Sequence, residues 1–207
     1  MKRFSILLMF ACMCAVMSSA EASTQKKHNE KQIVKHAVSH DKLLERLMKY
    51  ISVESWSMYD DDNGEWSVTQ GQKEMAQLLA ADAEALGAEA YVSAECYVYV
   101  TVPSNLKYDV PSMGISCHLD YTNEAPYQGI KPSVTKYEGG DVVLGSGKVL
   151  SPDSLQGRDL KHLVGKTLIH TDGSTLLGGD CKNGCAAAMS VLETLMKSDM
   201  RHGEVQF

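Results

Sequence analysis

The chain has 207 residues, 44% of them hydrophobic and 22% charged, and a net charge of −6. That balance excludes a disordered tail, a collagen-like repeat and a coiled coil, and the mild acidity gives no electrostatic footprint for nucleic acid. The length suits one domain of ordinary size or a large part of a bigger one.

Lys2 and Arg3 precede an apolar run from Phe4 to Met17, and Ser18, Ser19 and Ala20-Glu21-Ala22 follow with the small residues of a cleavage site. This is the pattern of an export signal over residues 1–22, with Ser23 first in the mature chain. An uncut short anchor and a lipoprotein linked through Cys12 or Cys14 are the alternatives. The expected location is therefore periplasmic or extracellular. No later stretch is apolar for long enough to cross a bilayer. Residues 23–40 are polar and read as a linker or frayed lead-in.

Leu43, Leu44, Leu47, Met48 and Ile51 recur at helical spacing and predict a helix from Asp41. Residues 52–68 read as a loop. Its run Asp60-Asp61-Asp62-Asn63-Gly64 is either a solvated turn or a calcium loop, with the turn favoured. A second helix is expected over 70–86, capped by Thr69 and stopped by Gly87. Short strands follow at 90–93 and 96–102. In the latter, Tyr97, Tyr99 and Thr101 face one side and Val98, Val100 and Val102 the other. Residues 112–117 form an apolar strand leading into His118. A small hairpin is expected at 142–144 and 148–150, a strand at 167–170, an apolar helix over 184–197, and a strand from Val205. Strands alternating with helices give an α/β domain.

Of the six cysteines, Cys12 and Cys14 lie in the signal. Cys96, Cys117, Cys181 and Cys185 permit three pairings, among which the sequence does not choose. Buried free thiols are the other reading.

Two constellations can carry chemistry. In His118-Leu119-Asp120, residues two apart in an extended segment point the same way. A histidine that binds zinc needs an orienting partner, and a nearby carboxylate serves. A structural histidine is the bland alternative. The second is Leu176-Leu177-Gly178-Gly179-Asp180-Cys181-Lys182-Asn183-Gly184, between a strand and a helix. Asp180 there is either a helix cap or a metal ligand, whose two oxygens can bridge a pair of ions.

These segments carry a resemblance. Asp41-Lys42-Leu43-Leu44-Glu45-Arg46 is similar to the opening of the peptidase T family of tripeptide aminopeptidases. Cys117-His118-Leu119-Asp120 resembles its S-H-V-D-T segment, and Tyr137-Glu138-Gly139-Gly140-Asp141 and Val149-Leu150-Ser151-Pro152 its Y-x-G-G-D and V-L-S-P segments. Residues 165–178 look like its G-x-T-L-I-x-T-D-G-x-T-L-L-G block. Asp180-Cys181-Lys182-Asn183-Gly184 resembles D-D-K-A-G, and His202-Gly203-Glu204-Val205 is similar to H-G-D-I. The likeness runs in unbroken order from Asp41 to Phe207.

The resemblance implies a three-layer α/β zinc-peptidase domain with a mixed sheet, incomplete at its carboxyl end. It implies two zinc ions per complete site and a short peptide as substrate. It implies His118 as ligand to one zinc, Asp180 as the bridging carboxylate, and Asp120 as the catalytic-site residue that holds His118. In the family a Glu pair, a later Asp and His, and a second domain complete the site, and that domain is where a homodimer would form. The expectation is thus an inactive amino-terminal fragment. The alternatives are a small exported zinc- or peptide-binding module and a disulfide-bonded structural module. Cys181 in place of the second Asp, and Tyr121 in place of the Thr after Asp120, depart from the family pattern. Cys181 could capture zinc, and Tyr121 could narrow the cleft.

Overall fold

A computed structural model describes residues 19–60, 65–155 and 157–207. The run expected to be a signal lies outside the described residues up to position 18, as do Asp61, Asp62, Asn63 and Gly64 of the acidic run. Two compact units divide the chain, each assembled from separated segments.

The first unit holds residues 19–44, 76–117 and 184–207. It opens with helix α1, Ser19–His36, where a polar linker was expected. The stretch lacks an apolar stripe, so sequence periodicity does not announce it. Its polar side chains make the contacts instead. Gln25 donates to Asn29 one turn on, at 2.9 Å, and Asn29 Nδ2 donates to the Arg201 carbonyl at 3.1 Å. Helix α2, His40–Ile51, begins in this unit and follows the apolar spacing. The later part of α3, Gln70–Ala85, contributes the buried Ala76, Leu79, Ala80 and Ala83.

The sheet of this unit has four strands: β3, Glu89–Val92; β4, Val98–Val102; β5, Met113–Gly114; and β10, Val205–Gln206. Their order is β3-β4-β10-β5. β4 pairs antiparallel with β3 and β10, while β10 pairs parallel with β5, so the sheet is mixed. Alternation along β4 is as read: Val100 and Val102 are buried, whereas Tyr99 is exposed. The strand expected at 112–117 is cut to two residues, and the chain runs on to His118 without regular structure. Helix α4, Gly179–Lys197, buries Cys185, Ala186, Ala188, Met189, Leu192 and Leu195. At about 1.5–3 kcal/mol for each large apolar side chain, Met189, Leu192 and Leu195 contribute to the unit's stability. Glu193 is buried on the same helix, ion-paired with Lys42 and with Lys197, the latter at 2.5 Å. Cys96, in the left-handed region at φ 66°, is a free thiol.

The second unit holds residues 45–75 and 118–183. Within the stretch read as a loop, β1, Met58–Asp60, pairs antiparallel with β2, Glu65–Ser67. Thr69 caps α3 as expected: its Oγ1 accepts from Gln72 N at 3.3 Å, while Gln72 Oε1 accepts from Thr69 N at 2.8 Å, a reciprocal capping box. β6, Ser133–Lys136, pairs antiparallel with β9, Thr167–His170. β6 escapes sequence reading because all four of its residues are exposed and none alternates. β7, Val142–Val143, and β8, Val149–Leu150, make the expected hairpin. A short 3-10 helix spans Arg158–His162. Among the described residues no helix is long and apolar enough to cross a membrane.

Candidate metal centre

Everything that positions the site lies in the second unit. Residues 55–57 run alongside 119–121. Ser55 is fully buried, and its hydroxyl donates to the Leu119 carbonyl at 2.6 Å. Tyr121 N donates to Ser55 O at 3.2 Å, and Ser57 N donates to Tyr121 O at 2.9 Å. A parallel bridge joins Trp56 to Tyr121. This short ladder fixes the backbone of His118-Leu119-Asp120 although no named strand reaches it. Gly71 lets the start of α3 approach closely: a Cβ there would stand 1.8 Å from the Glu54 carbonyl oxygen.

His118 Nδ1 faces two acceptors of Asp120, the carbonyl at 3.0 Å and carboxylate Oδ1 at 3.2 Å. Both are acceptors, so Nδ1 carries the proton in the neutral ring and Nε2 offers its lone pair. Nε2 stands 3.3 Å from Asp180 Oδ1. In that tautomer Nε2 and the Asp180 carboxylate both present lone pairs, as two ligands of one cation would. Asp180 is 97% exposed and His118 54%, so the pair opens to solvent and a ligand can reach it.

Asp180 and Cys181 take non-helical backbone angles ahead of the regular part of α4, and the peptide between them is cis. Lys182 turns inward. It is fully buried, donates to the Val53 carbonyl, and lies 4.6 Å from the centroid of the Tyr121 ring, within cation–π range. Gly178, at φ 66°, passes Tyr121: a Cβ there would meet ring carbon Cδ1 at 3.2 Å.

Tyr121 itself is buried at 3% exposure, and its hydroxyl donates to the Tyr127 carbonyl at 2.9 Å. Burial pushes its phenol well above the ordinary range, with Glu54 and Tyr127 adding to the shift. The ring expected to narrow the cleft is therefore packed inward, where it forms a wall for Gly178 and Lys182. Nothing in the sequence around Ser55 or Lys182 announces these anchoring roles, which exist only once the segments meet.

His118 Nε2 or Nδ1, an Asp180 oxygen and Cys181 Sγ all lie within 4.8 Å of one another. Ligands on one tetrahedral zinc stand roughly 3.3–3.6 Å apart, given zinc bonds of about 2.0–2.3 Å. The imidazole and carboxylate are thus already spaced for one ion, and imidazole, carboxylate and thiolate are donors that zinc takes. The residues fit the metal.

No family model matches the chain. Individual relatives do. Peptidase T of Alkaliphilus oremlandii is 38% identical over 171 residues, covering 79% of this chain and 41% of that protein. Peptidase T of Citrobacter koseri is 37% identical over 171 residues, covering 80% and 40%. Shouchella clausii peptidase T is 36% identical over 166 residues, covering 79% and 40%. Over the shared part, the chain is similar to peptidase T. It spans about two-fifths of the length of these curated relatives. Two solved structures share its fold. Aminopeptidase PepT from Bacillus cereus ATCC 10987 has a TM-score of 0.54 at 20% identity, over 82% of this chain and 36% of that one. A tripeptidase from Staphylococcus aureus has a TM-score of 0.53 at 20% identity, over 83% and 36%. The mixed α/β architecture is thus the peptidase T fold over the shared part. The cluster His118, Asp120 and Asp180 falls in the segments whose likeness to peptidase T was read from the sequence.

Proposed function

We propose that this chain carries one side of a two-zinc aminopeptidase centre of the peptidase T kind. His118 would be the ligand to one zinc and Asp180 a carboxylate shared by the pair, while Asp120 would be the catalytic-site residue that holds His118. The substrate class is short peptides with a free amino end, in keeping with relatives called peptidase T and with neighbours described as an aminopeptidase and a tripeptidase. The observation that carries the reading is the 3.3 Å approach of His118 Nε2 to Asp180 Oδ1.

When bound, zinc supplies Lewis-acid polarisation of a scissile carbonyl and lowers the pKa of water towards neutrality. The chain's own part is positional. Asp120 accepts from Nδ1 and so fixes the tautomer and ring plane of His118. Ser55 holds the backbone between those two residues. Lys182, anchored on Val53, pins the segment that carries Asp180. The exposure of Asp180 leaves a face on which a peptide can approach.

By themselves these 207 residues hydrolyse no peptide. A catalytic zinc takes about three protein ligands and an open position, and among the described residues the site brings together three donors for what would be two ions. Residues 1–22 direct export, which fractionation of cells expressing the chain with and without them would check. Calorimetric zinc titration tests the centre. Binding is expected, and His118→Ala and Asp180→Ala should each abolish it. Affinity unchanged in both variants would overturn the site. Two ions bound at sub-micromolar strength, or turnover of a tripeptide, would overturn the inactivity.

A further inference from the structure

We propose that Cys181 is a metal ligand, which makes this a mixed imidazole–carboxylate–thiolate site. The proposal rests on the metal reading above and deepens it. The D-D-K-A-G pattern that this segment resembles has a carboxylate at that position, and the structure gives the substituted thiol a place in the site. Cys181 is a free thiol, half-buried. One donor atom each from Cys181, His118 and Asp180 lies within 4.8 Å of the others. That upper separation exceeds the spacing of tetrahedral zinc ligands by roughly 1.5 Å or less, which side-chain rotation can close. Lys182, the next residue, is buried and held by the Val53 carbonyl. That anchor keeps the neighbouring residue from sliding away, so Sγ stays within reach of the two other donors.

Charge favours the arrangement. A divalent ion meets a carboxylate and a thiolate of one negative charge each, plus a neutral imidazole, so these three ligands offset the charge of one ion. On binding, the S–H bond breaks, a metal–sulfur bond forms, and one proton leaves to solvent. No electron moves. Sulfur also changes the choice of metal. A thiolate favours zinc and other soft or borderline ions, whereas a set of carboxylates alone would admit manganese and magnesium.

Cobalt(II) titration of the full 207-residue chain under reducing conditions tests this, with folding checked by circular dichroism. Bound cobalt shows visible ligand-field bands, and a thiolate ligand adds a near-ultraviolet sulfur-to-metal charge-transfer band. The proposal expects both bands in the parent chain. It expects the charge-transfer band to vanish in Cys181→Ala and to persist in Cys117→Ser. Zinc affinity should fall at least about tenfold in Cys181→Ala, the lower end of what losing a mere orienting partner costs. Ligand-field bands without a charge-transfer band in the parent, or a charge-transfer band that survives Cys181→Ala, would overturn the proposal and leave the His118–Asp180 site standing. Cobalt bands that persist in His118→Ala and Asp180→Ala would instead overturn the site. No cobalt binding in a folded parent chain would overturn both.

Discussion

The two units of this chain bury different mixtures of apolar and polar groups. The first buries apolar stripes: Val100, Val102 and Val205 on its sheet, and Ala186, Met189, Leu192 and Leu195 on α4. The second has short paired strands, tight turns and buried polar groups, among them Ser55, Thr69, Thr171 and Lys182. It also buries Tyr50, Ile51 and Met75, so apolar packing and directional hydrogen bonds act together there. The candidate metal centre belongs to the second kind. A site of this sort is placed by a few directional contacts, so it should be lost by changes that an apolar scaffold would absorb.

Leu192→Ala strikes the first unit hardest. Leu192 is fully buried, and truncation should cost about 2–5 kcal/mol, read as a lower denaturation midpoint. Zinc affinity of the molecules that stay folded should not change. If affinity falls as well, the contrast between the units fails. Gly71→Ala strikes the second unit. The new methyl meets the Glu54 carbonyl at 1.8 Å, so the backbone must shift, at about 1–3 kcal/mol, and zinc affinity should fall with stability.

Ser55→Ala separates the two readouts. Losing the hydroxyl leaves the Leu119 carbonyl without that donor, at about 1–3 kcal/mol. Zinc affinity should drop by about 10–100-fold, as when an orienting partner is removed. A stability loss with unchanged affinity would make Ser55 a core residue only.

The smallest effect concerns Asp172. The Ser174 hydroxyl and backbone N–H both donate to its Oδ1, at 2.5 and 2.8 Å. These bonds, with Lys131 and Lys148 nearby, hold its carboxyl below the ordinary value of 3.8. Because the folded pKa is depressed, the contribution is present above the unfolded value and is lost as pH falls through the folded one. Ser174→Ala should raise the Asp172 titration midpoint towards 3.8 in carboxyl NMR, and the small stability it removes should be missing at neutral pH and not in acid.

Legibility in the sequence divides along the same line. Apolar spacing placed α2 and α4, and alternation placed the faces of β4, because burial leaves a period in the sequence. The Thr69 cap and the β7–β8 hairpin were legible from local chemistry. Helix α1 was not, since its polar residues reach partners such as Arg201 that are distant in sequence. β6 was not, since an exposed strand carries no alternation. His118, Asp120 and Asp180 stood out through family-like segments. Ser55 did not, and Lys182 lay in such a segment with no role read for it, because a serine and a lysine become anchors only when a particular carbonyl comes to meet them.

The neighbour of Ser55 gives the site an optical reporter of its own. Trp56 is half-buried, its ring centroid lies 5.0 Å from that of Tyr127, and its backbone bridges Tyr121. An indole placed there shares its surroundings with the segment that presents His118. Its emission should therefore register disturbances of that segment that leave the helices, and hence the far-ultraviolet dichroism, untouched.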